Sequence, residues 1–406
     1  MNTLPTSPAR QRIAESPSTL PFLGALAAMG ALTMDIYMPA IPTMAAELGV
    51  AIVKVNNTIS SFLIGYAIGQ FFGGLLSDQV GRKRIGLTGL GIYVAACLLV
   101  VAAPNIEAIT WLRAIQALGV GFSSVACLAL VRDIYDPAVL GRRLATVTVI
   151  MLAAPLLAPA AGTLLMSIGW RSIFVAKAIY GTVMGLWWAL AFPETHAGRW
   201  RNLNLLTIFR QCVAVLSRQV DGRRLPSRLV MALGFSASVM MVYLTNSAFL
   251  YMQTLGLGPK SFAMVFAFGV TGFIGGALIA RRFLTLQSAA RLMRHALACQ
   301  LVVATLLLVL VIGGRAMVWN VLPCIFLLLA MQGIISPSGS AQYLQHFSKL
   351  AGSAAAVQMT AVYSAGGLFG WVSGLLYDGS LVPMTAVMLI CSVMANAIAR
   401  PALRQP

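Results

Sequence analysis

Acidic side chains are scarce in this sequence, with ten Asp and Glu among 406 residues, and histidine is scarcer, with three. Charge of either sign occupies 9% of the chain, where soluble proteins carry about 25%. That excludes a soluble globular domain. The same shortage speaks against a membrane enzyme, which would need acidic metal clusters or a Ser/His/Asp set at membrane depth. His196, His295 and His346 all fall at the ends of apolar stretches. Of six cysteines, Cys97, Cys127, Cys299, Cys324 and Cys391 lie inside apolar stretches and Cys212 in a polar one, without metal-ligand spacing. Buried packing is expected of them, and neither a metal site nor a disulfide. Repeated pore charges and filter loops, the marks of a channel, are missing too.

What the chain has is apolar length. Apolar residues make up 59% of it, and a bilayer core of about 30 Å takes about 20 of them per helical crossing. Twelve stretches qualify: 20–41, 57–76, 85–103, 109–131, 144–166 and 170–191, then 228–252, 260–280, 296–313, 317–337, 353–376 and 381–399. Runs such as Leu306–Ile312 and Val94–Ala103 are apolar on every face, whereas barrel strands alternate. The expected fold is an all-α integral membrane protein of twelve transmembrane helices. Its one long polar interruption, 195–227, separates two six-helix bundles, 20–194 and 228–399, with cytoplasmic tails at 1–19 and 400–406. Equal halves are the build of transporters made from repeats. Within the interruption, Arg199, Trp200, Arg201 and Phe209 suit an amphipathic surface helix and a plain basic linker equally well.

A net charge of +18 raises the question of nucleic-acid binding, and the distribution of that charge answers it. With the N-terminus inside, the inner segments hold 22 of the 28 Lys and Arg, and the outer side holds Lys54, Arg171, Lys260 and Arg315. This is the positive-inside pattern, with both termini cytoplasmic and the basic loops against anionic lipid. A multi-pass protein of the bacterial inner membrane is expected, with lipid and no nucleic acid as partner.

Asp35 is the acid set well inside a crossing, where an ionised carboxylate costs about 2.5 to 3.5 kcal/mol. Crossing 1 runs outward and crossing 4 inward, so Asp35 and Arg113 reach the same depth within a turn, and Lys177 of crossing 6 shares their layer. One reading is an ion pair plus a lysine snorkelling to the outer interface. The other is functional. A carboxyl group pulled one way by desolvation and the other way by movable cations can take up and release a proton. Arg113 keeps its own proton and acts as the fixed partner. The second half has no embedded acid or base, so shape and neutral polarity are its expected contribution. Tyr243, Asn246, Gln358 and Tyr363 are its cavity candidates, facing Tyr37, Tyr66, Gln116 and Lys177 of the first half. Each suits a helix-packing hydrogen bond as well as a ligand contact.

Between crossings 2 and 3 the chain reads Gly74-Leu75-Leu76-Ser77-Asp78-Gln79-Val80-Gly81-Arg82-Lys83-Arg84. This resembles the signature loop of the major facilitator superfamily. Arg113, Gln116 and Gly119 match that family's crossing-4 pattern, with Ala117 in place of a glycine. Residues 154–162, with Pro155, Pro159 and Gly162, resemble its proton-antiporter signature in crossing 5. Met34-Asp35-Ile36-Tyr37-Met38-Pro39-Ala40-Ile41-Pro42 and Arg132-Asp133-Ile134-Tyr135 resemble the group that exports bicyclomycin- and chloramphenicol-type drugs. The resemblance implies proton-coupled drug antiport driven by the proton gradient, without a cofactor. It implies a conformational gate at Gly74, Asp78, Gly81, Arg82 and Lys83, where Asp78 faces Arg82 and the start of crossing 11. It further implies that crossing 5 seals the outer half of the pore. Gly69, Gly73 and Gly74 of crossing 2 correspond to Gly272, Gly275 and Gly276 of crossing 8, as packing seams and a trace of the internal repeat. A monomer is expected. The alternative on the same scaffold is an exporter or importer of one metabolite, such as a siderophore, sugar or amino-acid derivative.

Overall fold

Lipid offers a backbone no hydrogen-bond partner, so each apolar stretch must satisfy its own N–H and C=O groups as a helix. The computed structural model describes residues 13–195, 205–220, 224–283, 286–347 and 351–403. Crossing 1 is built from α1 (Thr19–Asp35), a 3-10 turn (Met38–Ala40) and α2 (Ile41–Glu47). Crossings 2 to 6 are α3 (Ile52–Val80), α4 (Arg82–Val101), α5 (Ile106–Ile134), α6 (Pro137–Leu165) and α7 (Trp170–Ala191). A short helix, α8 (Leu205–Ser217), lies in the segment between the halves. Crossing 7 is α9 (Leu225–Ala248) continued by a π-helical segment (Phe249–Thr254). Crossings 8 to 12 are α10 (Pro259–Phe283), α11 (Leu286–Ile312), α12 (Val318–Leu344), α13 (Ala351–Leu375) and α14 (Val382–Leu403). The fold is the all-helical one expected, with twelve crossings. Large apolar side chains such as Leu164, Ile168, Leu190, Val302 and Trp319 stay on the outside, where lipid is their solvent.

Two features depart from the sequence expectation. Several helices outrun their apolar stretches: α3 and α5 have 29 residues each, about 43 Å at 1.5 Å per residue, which is more than the bilayer core. Their ends carry polar residues that hydropathy does not assign to a crossing. Crossing 1, expected unbroken over 20–41, is interrupted after Asp35 and continues to Glu47.

Among the described residues, ten crossings are long and apolar enough to span a membrane individually. The other two are α3, with Asn56, Asn57, Ser60 and Gln70, and α13, with Gln358, Thr360 and Ser364. These two pack along each other and join the halves. Tyr66 meets Tyr363 edge-on at 4.7 Å, and Gly367, Gly370 and Gly374 lie against Ile64, Ser60 and Asn57. The contact occupies the part of each helix far from the termini. A second contact between halves pairs α6 with α10. The internal repeat shows in the packing. A side chain at Gly69 of α3 would overlap the Leu118 carbonyl of α5, and one at Gly276 of α10 would overlap the Ala330 carbonyl of α12.

α8 is amphipathic, and it docks on the second half: Cys212 and Val215 are buried with Leu229, Tyr343 and Phe347. Arg218 stands over the Phe347 ring at 5.6 Å. Arg199, Trp200 and Arg201 lie outside the described residues, as do the side chain of Phe209 and residues 1–12 and 404–406 of the terminal tails.

Candidate functional site

Helix α1 stops at Asp35 for a reason visible four residues on. Pro39 has no N–H to give the Asp35 carbonyl, and its ring would collide with that carbonyl in a regular helix. The chain bends through Ile36 and Tyr37 and restarts with prolines near the start of both short segments. The bend has a seat in crossing 5, because a side chain at Gly162 would overlap the carbonyl oxygen of Ile36. Gly162 thus touches the residue next to Asp35. Pro155 and Pro159 lie inside α6, which runs on through both.

Arg113 of α5 is fully buried beside this broken end. Its Nη1 donates to the Thr33 carbonyl at 3.5 Å and to Gln116 Oε1 at 2.5 Å. The guanidinium stands 4.3 Å from the centroid of the Tyr37 ring and 4.5 Å from that of Phe62. The final carbonyls of a helix carry a partial negative charge, so the end of α1 and two aromatic faces surround this cation. Asp35 makes no ion pair within 4.0 Å, and neither Arg113 nor Lys177 appears in one, so the direct Asp35–Arg113 pair weighed from the sequence is not formed.

Lys177 is 1% exposed, which removes the snorkelling reading. Its ammonium stands over Phe174 at 4.3 Å and Tyr37 at 4.8 Å, without a hydrogen-bond acceptor. Gln116 donates to Cys97 Sγ at 2.8 Å, and the Tyr37 hydroxyl meets Thr58 Oγ1 at 2.8 Å. Two cations are thereby collected over a single tyrosine ring, two residues past Asp35 in the chain.

The other cavity candidates separate into groups. Tyr66 and Tyr363 form the edge-on pair between halves, and the Tyr66 hydroxyl donates to Ser124 Oγ at 3.2 Å. Asn246 links crossings 7 and 11 through Ser373 Oγ at 2.9 Å. Gln358 donates to Ser340 Oγ at 2.5 Å. Tyr243 lies in an aromatic group with Tyr251 and Phe266.

At the end bearing the termini, Gly81 alone separates α3 from α4, with φ of 118°, a region that favours glycine. Arg82 Nε reaches Asp133 Oδ2 at 3.3 Å and its Nη1 reaches Ser77 Oγ at 2.9 Å. Lys83 Nζ donates to the Ala189 carbonyl at 2.6 Å. The Glu194 carboxylate accepts from the backbone N–H groups of Lys83 and Arg84 and so caps α4. These contacts tie the loop to the ends of crossings 4 and 6, all within the first half. Gly74 abuts Val125 of α5. The side chain of Asp78 lies outside the described residues, so its expected contact with the start of crossing 11 is not described.

Sequence reasoning missed Phe62 and Phe174, the rings over the two cations, and Tyr251 beside Tyr243. Spacing carried a signal for two of these. Phe62 precedes Tyr66 by four residues and Tyr251 follows Tyr243 by eight, which puts each on its partner's helix face.

The family model of the Major Facilitator Superfamily matches residues 22–370. A bicyclomycin resistance protein homolog of Haemophilus influenzae is 25% identical over 374 residues, covering 92% of this chain and 93% of the relative. Multidrug resistance protein D of Escherichia coli is 27% identical over 366 residues, covering 89% and 88%. Among solved structures, a D-xylose-proton symporter superposes with a TM-score of 0.73 at 14% identity, over 95% of this chain and 96% of the other. At that identity the likeness is one of fold.

Proposed function

Because the chain belongs to the major facilitator superfamily, we propose that it exports drugs or similar small amphipathic compounds across the bacterial inner membrane in exchange for protons. Membership makes it a membrane transporter and not an enzyme. The drug reading draws on relatives named for bicyclomycin and multidrug resistance, which stand against a dedicated metabolite carrier. The proton reading rests on one observation: a buried acid at the broken end of a helix, with two buried cations in the same cluster and no fixed ion pair. Asp35 carries the proton, Arg113 and Lys177 set the field around it, and Gln116 orients Arg113.

Alternating access supplies the coupling. The contact of α3 with α13 closes the outer side, and parting it opens the cavity outward past Tyr66 and Tyr363. Tyr37, Tyr243, Asn246 and Gln358 shape the remaining walls. At the inner mouth, Gly74, Asp78, Gly81, Arg82 and Lys83 act as the gate, with Asp78 bridging to the start of α13 when that mouth closes. Pro155, Pro159 and Gly162 keep crossing 5 tight against proton leak. The positive-inside count puts both termini in the cytoplasm, and the chain works as a monomer with no cofactor.

The test is a compound panel in cells lacking their own exporters, then proton flux in inverted vesicles with the compound to which resistance rises most. Asp35→Asn keeps the shape and removes the titrating group. Drug-dependent proton flux is expected in the parent protein and absent in Asp35→Asn. Undiminished uphill export by Asp35→Asn would refute the assignment.

A further inference from the structure

Crossings 1 and 7 touch where both leave regular helix. Ser247 Oγ donates to Met38 Sδ at 3.5 Å, between the 3-10 turn of one and the residues just before the π segment of the other. Asp35 precedes Met38 by three residues and Tyr243 precedes Ser247 by four, so acid and tyrosine lie on adjoining stretches just inside this contact. Two turns further along crossing 7, within the π segment, stands Tyr251, its ring 6.4 Å from that of Tyr243 and nearly perpendicular to it. Both tyrosines are buried, and neither hydroxyl completes a hydrogen bond, although the two are near enough to interact. The next residues, Met252 and Gln253, line a groove of about 780 Å3 at the end of the molecule opposite the termini, together with Pro42, Ala45 and Val50.

Packing alone does not ask for these hydroxyls. Phe262 and Phe266 fill the same aromatic group, at 6.3 Å from Tyr251 and Tyr243 respectively. A buried hydroxyl without a partner is costly, and here two stand in line between an acid and an open groove. π-Helical segments are frequent at functional sites, and this one sets the position of Tyr251.

We propose that Tyr251 and Tyr243 form a proton path between the outer groove and Asp35, entered at Tyr251 and meeting the substrate cavity only at Tyr243. The inference rests on the reading that Asp35 carries the coupled proton. A proton that enters from the groove by water beside Met252 and Gln253 is delivered to the Tyr251 oxygen while Tyr251 gives its own hydroxyl proton to the Tyr243 oxygen. Tyr243 in turn gives its proton to a carboxylate oxygen of Asp35. One proton leaves the groove, one arrives at the acid, both tyrosines end neutral, and only O–H bonds change. The charged and titratable groups around Asp35 are Tyr37 on crossing 1, Arg113 on crossing 4, Lys177 on crossing 6 and Tyr243 on crossing 7. Arg113 and Lys177 make the carboxylate end of the path repel further cations, so the path carries a single proton per turn.

The experiment uses the full-length protein in liposomes, with the compound to which the panel shows the highest resistance. Tyr243→Phe and Tyr251→Phe keep the rings. Three quantities are compared with the parent: compound binding, compound exchange without a proton gradient, and compound-driven proton flux in H2O and D2O. Binding and exchange are expected to remain at parental levels in Tyr251→Phe, whereas Tyr243→Phe, which also alters a cavity wall, is read through proton flux and isotope effect alone. Proton flux is expected to fall by about tenfold or more, the scale of a lost proton-transfer group, and its solvent isotope effect to change. Parental proton flux and isotope effect in both variants would overturn the path. So would an equal fall in exchange and proton flux in Tyr251→Phe, which is the result for a residue of packing or substrate contact. A parent protein that moves compound without moving protons would instead overturn the proton reading of Asp35 itself.

Discussion

Arg113 donates to the carbonyl oxygen of Thr33 at 3.5 Å, so the cation nearest the functional layer of crossing 4 is anchored on the helix that ends in Asp35. Its counter-charge is a helix end and two aromatic faces in place of a carboxylate. The acid is thereby left without a fixed ionic partner, while the cation stays bound in every state that keeps α1 against α5.

Arg113→Lys is the sharpest test of that anchoring. A lysine keeps the charge but cannot stack a planar group between Tyr37 and Phe62 or hold Gln116 and Thr33 together. A stability loss of about 1 to 2 kcal/mol is expected from the cation–π contacts alone, seen as a lower Tm of the purified protein, and export should fall with it. A variant as stable and active as the parent would show that only the charge matters.

Lys177 is expected to set a preference for substrate charge. It is buried, lacks an acceptor and lies beside Tyr37, so it disfavours cationic compounds in the cavity layer. Lys177→Met is expected to move the resistance profile toward cations. Identical profiles would assign the residue a packing role.

Gly162 controls the position of Asp35 through Ile36. Any side chain there must push the Ile36 carbonyl away, and the backbone of Asp35 moves with it. Gly162→Ala is expected to insert and fold, to lose about tenfold or more of export, as misplacement of a reacting group does, and to leak protons without compound. Proton-tight vesicles with parental export would contradict the contact.

His346 gives a dependence on pH away from the membrane. Burial, and then the nearby Arg218, hold its pKa below the ordinary value of 6.5. The folded state therefore binds this proton less readily than the unfolded state, and its contribution to stability is retained at neutral pH and lost as pH falls below about 6.5. Docking of α8 is expected to weaken over that range, read as faster proteolysis of the segment between the halves. His346→Gln should flatten the response, and an unchanged pH profile in that variant would place its origin elsewhere.

The sequence made the twelve crossings and the shared depth of Asp35, Arg113 and Lys177 legible, because apolar length and helical rise are enough to count them. It did not show that Lys177 is enclosed, since depth along a helix says nothing of which neighbour covers it. The rings of Phe62 and Phe174 were hidden for the opposite reason: in an apolar stretch an aromatic that faces a cation looks like one that faces lipid. The break after Asp35 is written in Pro39 and Pro42, yet a hydropathy window reads both prolines as part of one run. Helix ends beyond the bilayer core carry no apolar signal and were placed too short.

The contact between α3 and α13 also bears on how the chain is made. Both carry polar residues along that contact, with Asn57 and Ser60 of α3 lying against Gly374 and Gly370 of α13. During synthesis α3 emerges long before α13 exists, so its asparagines and serines reach the translocon without their eventual cover. Its insertion must then lean on α1 and α4, the apolar neighbours on either side of it in the chain. Mutations that make those two helices more polar should therefore act on assembly first and on transport only secondarily, even where they touch nothing in the cavity.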